Sequence, residues 1–282
     1  MEIKVDPQSL RQKLQVLVGE RSPYSGQRHL AAVERFIEKE FGSYGLSVES
    51  DLFFYRGKSF RNIIARMGSQ RGTPLIVLGA HFDSVEGTPG ADDNASGVAV
   101  MLEAARVLSR FKLRSQVLFC AFNLEELNMI GSTHLAQKLK AAGAKIDAMV
   151  SLEMVGYTDS TPGSQKYPLG LKWFYPDRGD FIGVIGNWNS GSLLRRFSRL
   201  MRQVQGLAVE TLSVPGNGAF IPEVRLSDHS PFWDLGYPAL MVTDTSFFRN
   251  PHYHRSSDTL ETLDIPFMAK VCAGVVTAVL GL

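Results

Sequence analysis

Seven residues at 74–80, PLIVLGA, are apolar without a break and run straight into HFDS. The stretch has the length of a strand and offers no polar face. Such a strand needs cover on both sides, which the centre of a helix-flanked sheet provides. This one requirement already favours a layered α/β architecture over a bundle or a β-sandwich.

The patterning on either side agrees. A helix is predicted over 24–44, with Leu30, Val33, Phe36 and Ile37 on one face. Strands follow over 48–55 and 61–67, joined by the turn RGKS, so the first pair reads as a hairpin. Helices are then predicted over 95–110, 132–142, 190–205, 231–235 and 262–280. Between them fall strands over 116–122, 148–155, 207–213 and 239–243, and one centred on 183–186. The alternation predicts an α/β three-layer sandwich, with a mixed, mostly parallel central sheet flanked by helices. No linker divides the chain, so 1–282 reads as one domain. Residues 159–180 form its one long irregular stretch, rich in Pro, Gly and Tyr, and such loops are often functional.

Composition narrows the function. Hydrophobic residues at 44% can fill a sizeable core, and a net charge of +2 is too small to point to nucleic acid or a membrane surface. No apolar run approaches the ~20 residues of a membrane span. The opening MEIKVDPQSLRQKL lacks the apolar core of a signal peptide. A cytoplasmic protein is therefore expected, or a secreted or periplasmic one if the chain is a mature form. Cys120 and Cys272 sit in apolar surroundings and read as small buried hydrophobes. Nothing in the composition sets an oligomeric state.

In open α/β sheets, ligands gather beyond the carboxyl ends of the strands. Here those ends are rich in ligand-type residues. HFDS carries His81 and Asp83; GADDNASG carries Asp92 and Asp93; NLEEL carries Glu125 and Glu126. Glu153 ends another strand, and RNPHYHRSSDT carries His252 and His254. Each block alone has an ordinary explanation, such as a helix cap or a solvated face. Together they form a nitrogen–oxygen ligand set suited to zinc or a similar divalent ion. Two histidines and three carboxylates can hold two metals with one carboxylate bridging, and metal pairs ~3.5–4 Å apart polarise a carbonyl and activate water. Of two adjacent glutamates, one can bind metal while the other acts as general base.

The blocks HFDS, GADDNASG, NLEELNMIGS, SLEMVGY, SDHSPF and NPHYHRSSDT, in this order, resemble the zinc exopeptidases of peptidase family M28. That family contains aminopeptidases, glutamate carboxypeptidase and glutaminyl cyclases. The resemblance spans 62–262 and implies a zinc-exopeptidase-type fold. It implies two zinc ions, with other divalent metals able to occupy the same cage. The implied ligands are His81, Asp93, Glu126, Glu153 and His254, with Asp93 bridging. Glu125 aligns with the general base, Asp83 with the carboxylate that orients His81, and Tyr253 with a tyrosine that supports the oxyanion. The Asp93–Asn94 peptide aligns with one that is cis in the family. The implied activity is that of an aminopeptidase acting on a peptide or aminoacyl substrate with a free N-terminus. A single-zinc glutaminyl cyclase needs Asp93, Glu126 and His254 but little from His81. A binding protein on the same fold is the non-catalytic alternative.

Some positions have rival readings. Glu153 stands where many members have Asp, so its oxygen reaches from a more distant backbone. His252 competes with His254, but the block places the ligand directly after Tyr253. Ser227, Asp228 and His229 either cap the short helix that follows or support the site. Asp258 orders the turn after His254 or caps the last helix. Trp173, Phe174, Tyr175 and Trp188 either wall a pocket or, as slightly preferred, pack the long loop. His29 and His134 lie away from the strand ends and read as structural. Asn123 is polar where small residues are frequent, and the sequence offers no reason for it.

Overall fold

The computed structural model describes residues 3–68, 74–168 and 170–282. Met1 and Glu2 of the opening segment, residues 69–73, and Leu169 of the 159–180 stretch lie outside the described residues. Eight strands form one sheet in the order β1-β2-β4-β3-β5-β8-β6-β7. They are β1 (Ser47–Tyr55), β2 (Lys58–Met67), β3 (Leu75–His81), β4 (Gln116–Phe122), β5 (Ile146–Glu153), β6 (Phe181–Asn187), β7 (Ala208–Val214) and β8 (Ala239–Thr243). The pairs β3/β4, β3/β5, β5/β8 and β6/β7 are parallel. The hairpin β1/β2 and the pairs β2/β4 and β6/β8 are antiparallel. The all-apolar run is β3, fourth of the eight strands in the order and flanked by β4 and β5. Its residues from Ile76 onward are buried, as a doubly covered strand requires.

The helices are α1 (Pro7–Leu17), α2 (Gln27–Ser43), α3 (Gly97–Leu108), α4 (Ile130–Ala141), α5 (Gly191–Met201), α6 (Ser230–Asp234) and α7 (Ile265–Gly281). The larger apolar core draws on α1, α2, α3, α5 and α7 against one face of the sheet. The smaller core draws on α4 and α6, with Leu135, Phe232 and Trp233, against the other face. That second layer covers the sheet unevenly: the cavity described below opens where β8, β6 and β7 are left to loops.

Two local features differ from expectation. Helix α1 was not anticipated, although Leu10, Leu14 and Leu17 recur at helical spacing and are all buried. Its start is fixed by Asp6, whose carboxylate accepts the Gln8 amide, and by Pro7 at the first helical position. The hairpin turn is Arg56–Gly57 rather than four residues, since Tyr55 pairs directly with Lys58. Both turn residues have positive φ, +47° and +76°, as a tight two-residue turn between twisted strands requires.

The 159–180 stretch is tied down rather than loose. Asp159 bridges Gly179, and Lys166 N donates to the Phe248 carbonyl. Arg249 is the main clamp: Nε donates to Gln165 Oε1, and Nη1 to the carbonyls of Phe181 and Tyr157. Among the described residues no helix is long and apolar enough to cross a membrane.

Candidate metal centre

The blocks at the strand ends converge. His81 closes β3, Glu153 closes β5, and Glu125 and Glu126 follow β4. Asp93 lies in the turn that leads into α3, and His254 in the loop after β8. Two clusters result, and both contain Asp93. One is His81, Asp93 and Glu153; the other is Asp93, Glu126 and His254; in each the ligand atoms lie within 4.8 Å of one another.

Asp93 divides its carboxylate between them. Oδ1 is 3.3 Å from His81 Nε2, and Oδ2 is 3.1 Å from His254 Nε2. Glu153 Oε1 is 3.5 Å from His81 Nε2, so the longer side chain still reaches the first cluster. Glu126 Oε2 is 3.4 Å from His254 Nε2 in the second. Glu125 belongs to neither; its Oε2 lies 3.9 Å from His81 Nε2. The Asp93–Asn94 peptide is cis. His252 points elsewhere, with Nδ1 2.9 Å from Ser257 Oγ and its ring edge-on to Tyr157.

Other residues hold these groups in place. Asp83 is fully buried; Oδ1 lies 3.5 Å from His81 Nδ1 and also accepts the Glu125 amide, while Oδ2 accepts the Glu126 amide. One carboxylate thus couples the imidazole to the backbone of both glutamates. Asp258 accepts the amides of Asp92 and Asp93, at 2.9 and 3.2 Å. It therefore fixes the GADDNASG turn and does not cap α7, whose cap is Asp264. Asn94 Oδ1 accepts the amides of Gly97 and Met154, which joins the start of α3 to the end of β5. Gly90 lies in the left-handed region at φ +60°, and a Cβ there would come within 2.5 Å of the Asp93 carbonyl oxygen. Leu124 and His254 are also left-handed, at φ +60° and +55°, a conformation that persists only where packing holds it.

The SDH block is not a helix cap. His229 precedes α6 without a side-chain cap bond; its Nε2 donates to the Val224 carbonyl and its ring stands edge-on to Trp233. Ser227 reaches the site instead: Oγ donates to Glu153 Oε2 at 2.8 Å and lies 2.9 Å from Ser151 Oγ. Asp228 is fully buried, and burial pushes its carboxyl up to about 7. Asn123 also has a reason. Its side chain donates to Glu34 and accepts the Leu124 amide, while its own amide is held by Asn62, which fixes the turn before Glu125.

Three residues had no distinguishing signal in the sequence. Arg21 is 1% exposed and donates to five carbonyls, those of Leu17, Gly19, Phe82, Pro89 and Gly90. It ties the strand end at Phe82 to the GADDNASG turn without touching a carboxylate. Asn250 donates to Asp92 Oδ2 at 2.7 Å, and Asp244 holds the amides of Tyr157 and Ser246.

Electrostatics fits a cation in each cluster. Burial raises the Glu125 carboxyl well above its usual range; His81 opposes this, while Glu153 and Glu126 add to it. Burial and the neighbouring Asp93 push Glu126 up to about 7. For Asp93, burial is outweighed by the nearby His254 and His81 imidazoles, which hold it below the usual range. For His81, burial is outweighed by the Glu153 and Glu125 carboxylates, which raise it. Both His81 nitrogens and Glu126 Oε1 are buried without a hydrogen bond of normal geometry. Buried groups of this kind require a partner, and a nitrogen–oxygen donor set of this composition suits zinc.

The centre opens into a cavity of about 380 Å³. Its inner end is Asp93, Glu125, Glu126 and Glu153; Tyr253 and His254 border it, with their rings stacked at 3.7 Å. Of the aromatic residues in the long loop, Tyr167 and Tyr175 line it. Trp173, Phe174 and Trp188 do not, and at 77, 81 and 69% exposure they do not pack the loop either.

Comparison with known proteins finds relatives in sequence and in fold. The chain is 38% identical over 284 residues to YfbL of Escherichia coli, described as uncharacterized, covering 96% of this chain and 87% of YfbL. It is 29% identical to a probable leucine aminopeptidase of Arthroderma otae, covering 87% of this chain and 63% of that protein. It is 27% identical to a probable zinc metalloprotease of Leptosphaeria maculans, covering 74% of this chain and 54% of that protein. The chain thus spans between half and two thirds of the length of these two fungal relatives. Among solved structures it resembles the LapA aminopeptidase of Legionella pneumophila, at TM-score 0.76 and 22% identity, covering 99% of this chain and 73% of LapA. It also resembles the glutaminyl cyclase of Porphyromonas gingivalis, at TM-score 0.71 and 21% identity, covering 97% of both chains. At these identities the two structures show a shared fold. The profile of Peptidase family M28 matches residues 62–279, which include all the residues of both candidate clusters, and the chain belongs to that family.

Proposed function

We propose that this protein is an aminopeptidase that uses two zinc ions to hydrolyse the N-terminal peptide bond of its substrate. The observation that carries the proposal is the division of Asp93, with one oxygen toward His81 and the other toward His254. A carboxylate so placed can bridge two ions, with His81 and Glu153 completing one site and Glu126 and His254 the other. When bound, such ions polarise the scissile carbonyl and make water a stronger nucleophile.

The chain's own groups supply the rest. Glu125 stands beside the centre, free of both ligand sets, and its raised carboxyl suits a group that takes a proton from the attacking water and returns it to the leaving amine. Asp83 fixes the ring of His81 and the backbone of Glu125 together. Tyr253 lines the cavity next to His254, and burial keeps its phenol protonated, able to donate to the developing oxyanion. The carboxylates at the inner end attract the free α-amine of the substrate. A peptide or aminoacyl compound with an unblocked N-terminus is therefore the expected partner.

The fold likeness to a glutaminyl cyclase supports a second reading, a single-metal enzyme built on Asp93, Glu126 and His254. His81 argues against it, since its buried Nε2 is directed at Asp93 and Glu153. A panel of aminoacyl-fluorophore substrates tests the proposal, with free and blocked N-termini and with or without zinc. Zinc-dependent release from the free amines alone is expected. Equal cleavage of blocked compounds, or cyclisation of N-terminal glutamine without hydrolysis, would overturn it.

A further inference from the structure

The register of the sheet places four residues in one row across four strands. Glu153 on β5 pairs with Thr243 on β8, Thr243 with Gly183 on β6, and Gly183 with Glu210 on β7. Directly paired residues project from the same face, so the row forms a strip from the metal centre to the edge of the sheet. All four residues line the cavity. Midway, Gly183 contributes no side chain, and a Cβ built there would meet the Thr243 carbonyl at 3.2 Å. The strip is therefore a groove floor, with a carboxylate at each end.

Neighbouring strands lie ~4.8 Å apart, so Glu153 and Glu210 stand roughly 14 Å apart at the backbone. A Glu210 side chain leaning inward leaves about 11 Å between its carboxylate and the reacting centre. An extended lysine or arginine side chain, counted from its own carbonyl carbon and with one hydrogen bond added, spans about 10–11 Å. Leucine and phenylalanine stop well short of that.

The far end is also built for a cation. Tyr167 and Tyr175 line it with rings stacked at 5.7 Å, and Tyr175 Oη donates to the carbonyl of Thr211, the residue after Glu210. Aromatic faces beside a carboxylate attract ammonium and guanidinium groups. Among the described residues Glu210 has no ion-pair partner, nor does Glu223 on the same cavity wall. Lys166 borders the cavity, but its side chain is exposed and pairs with neither.

Building on the aminopeptidase reading, we infer that the cavity selects substrates with a cationic N-terminal residue, lysine or arginine, through Glu210 and the Tyr167–Tyr175 pair. Between the ends, Ile185, Leu212 and Met241 hold the aliphatic stem.

The test combines binding and turnover on the zinc-loaded full chain. Calorimetry compares L-arginine amide with L-norleucine amide, for the wild type and for Glu210→Gln. The expected result is at least tenfold tighter binding of arginine amide, with the difference abolished in Glu210→Gln and norleucine amide unaffected. Equal affinities, a preference for norleucine amide, or no binding of either amide to the wild type would overturn the inference. Turnover of Arg-, Lys-, Leu-, Phe- and Ala-fluorophores then gives kcat/KM. Arg and Lys should exceed Leu at least tenfold, and Gly183→Val, which narrows the floor, should cut Arg more than alanine. Wild-type turnover that favours Leu or Phe also overturns it. If no free amine is hydrolysed while the binding preference holds, the aminopeptidase reading fails and the cation site stands.

Discussion

Ser227 Oγ donates to Glu153 Oε2 across 2.8 Å, while Glu153 Oε1 faces His81 Nε2 at 3.5 Å. The serine thus holds one carboxylate oxygen so that the other is presented to the first cluster. Losing such an outer partner typically costs about 10–100-fold in metal affinity. Ser227→Ala should therefore weaken zinc binding at the His81 site by that order and leave the His254 site unchanged. Competition with a chelator measures this. A variant that holds both ions as tightly as the wild type would remove Ser227 from the argument.

Glu125 is the one glutamate at the centre outside both ligand clusters. Glu125→Gln keeps the size and removes the proton acceptor. It should retain zinc and melt within a few degrees of the wild type while losing about 10²–10⁴ in kcat. Wild-type zinc content with wild-type turnover would assign the proton transfer to another group.

The shared carboxylate makes the metal count diagnostic. Two zinc ions per chain are expected by elemental analysis, falling to one in His81→Ala and one in His254→Ala. Binding restricted to the folded state should also raise stability, by about 2.7 kcal/mol at free zinc 100-fold above Kd. Chelation should lower Tm, and added zinc should restore it. One ion in the wild type, with none lost in His81→Ala, would favour the single-metal reading.

The site was legible in the sequence to the extent that its groups belong to chemically distinctive residues at strand ends. His81, Asp93, Glu126, Glu153 and His254 meet because a mostly parallel sheet brings those ends to one edge. Their supports were harder to read. Ser227 meets Glu153 from 74 positions away, and nothing local marks that hydroxyl. Arg21 binds only carbonyls, which carry no residue identity. Asp258 has the local context of a helix cap, yet tertiary packing directs it to Asp92 and Asp93. The layering of the fold followed from apolar runs. The antiparallel placement of β6 against β8 did not, because periodicity is silent on direction.

Arg21 should matter for stability more than for chemistry. Its guanidinium is buried, and burial lowers it to about 10, still charged at neutral pH. Arg21→Ala would leave five carbonyls short of a donor, at roughly 1–3 kcal/mol for each that stays dry. Water entry will relieve part of this, so a loss of about 3–5 kcal/mol is expected, in line with the larger single-site effects. Urea unfolding measures it. A loss under about 1 kcal/mol would mean that Arg21 does not hold the GADDNASG turn.

His229 gives a pH signature away from the metal ligands. Burial lowers its imidazole to about 3, while the unfolded chain has it near 6.5. Below pH 6.5 the unfolded state therefore takes up a proton that the folded state refuses. The stability associated with neutral His229 is complete above pH 6.5 and declines as pH falls toward 3. The decline is about 1.4 kcal/mol per pH unit, so about 2 kcal/mol should be lost between pH 6.5 and 5. Other buried groups titrate in the same range, which makes the difference from His229→Gln the useful quantity. Glutamine can still donate to Val224 but does not ionise. The wild type should lose stability relative to this variant as pH falls through that window, read from urea midpoints in chelator. Parallel curves for the two proteins would show that His229 protonates as readily in the folded state as in the unfolded one.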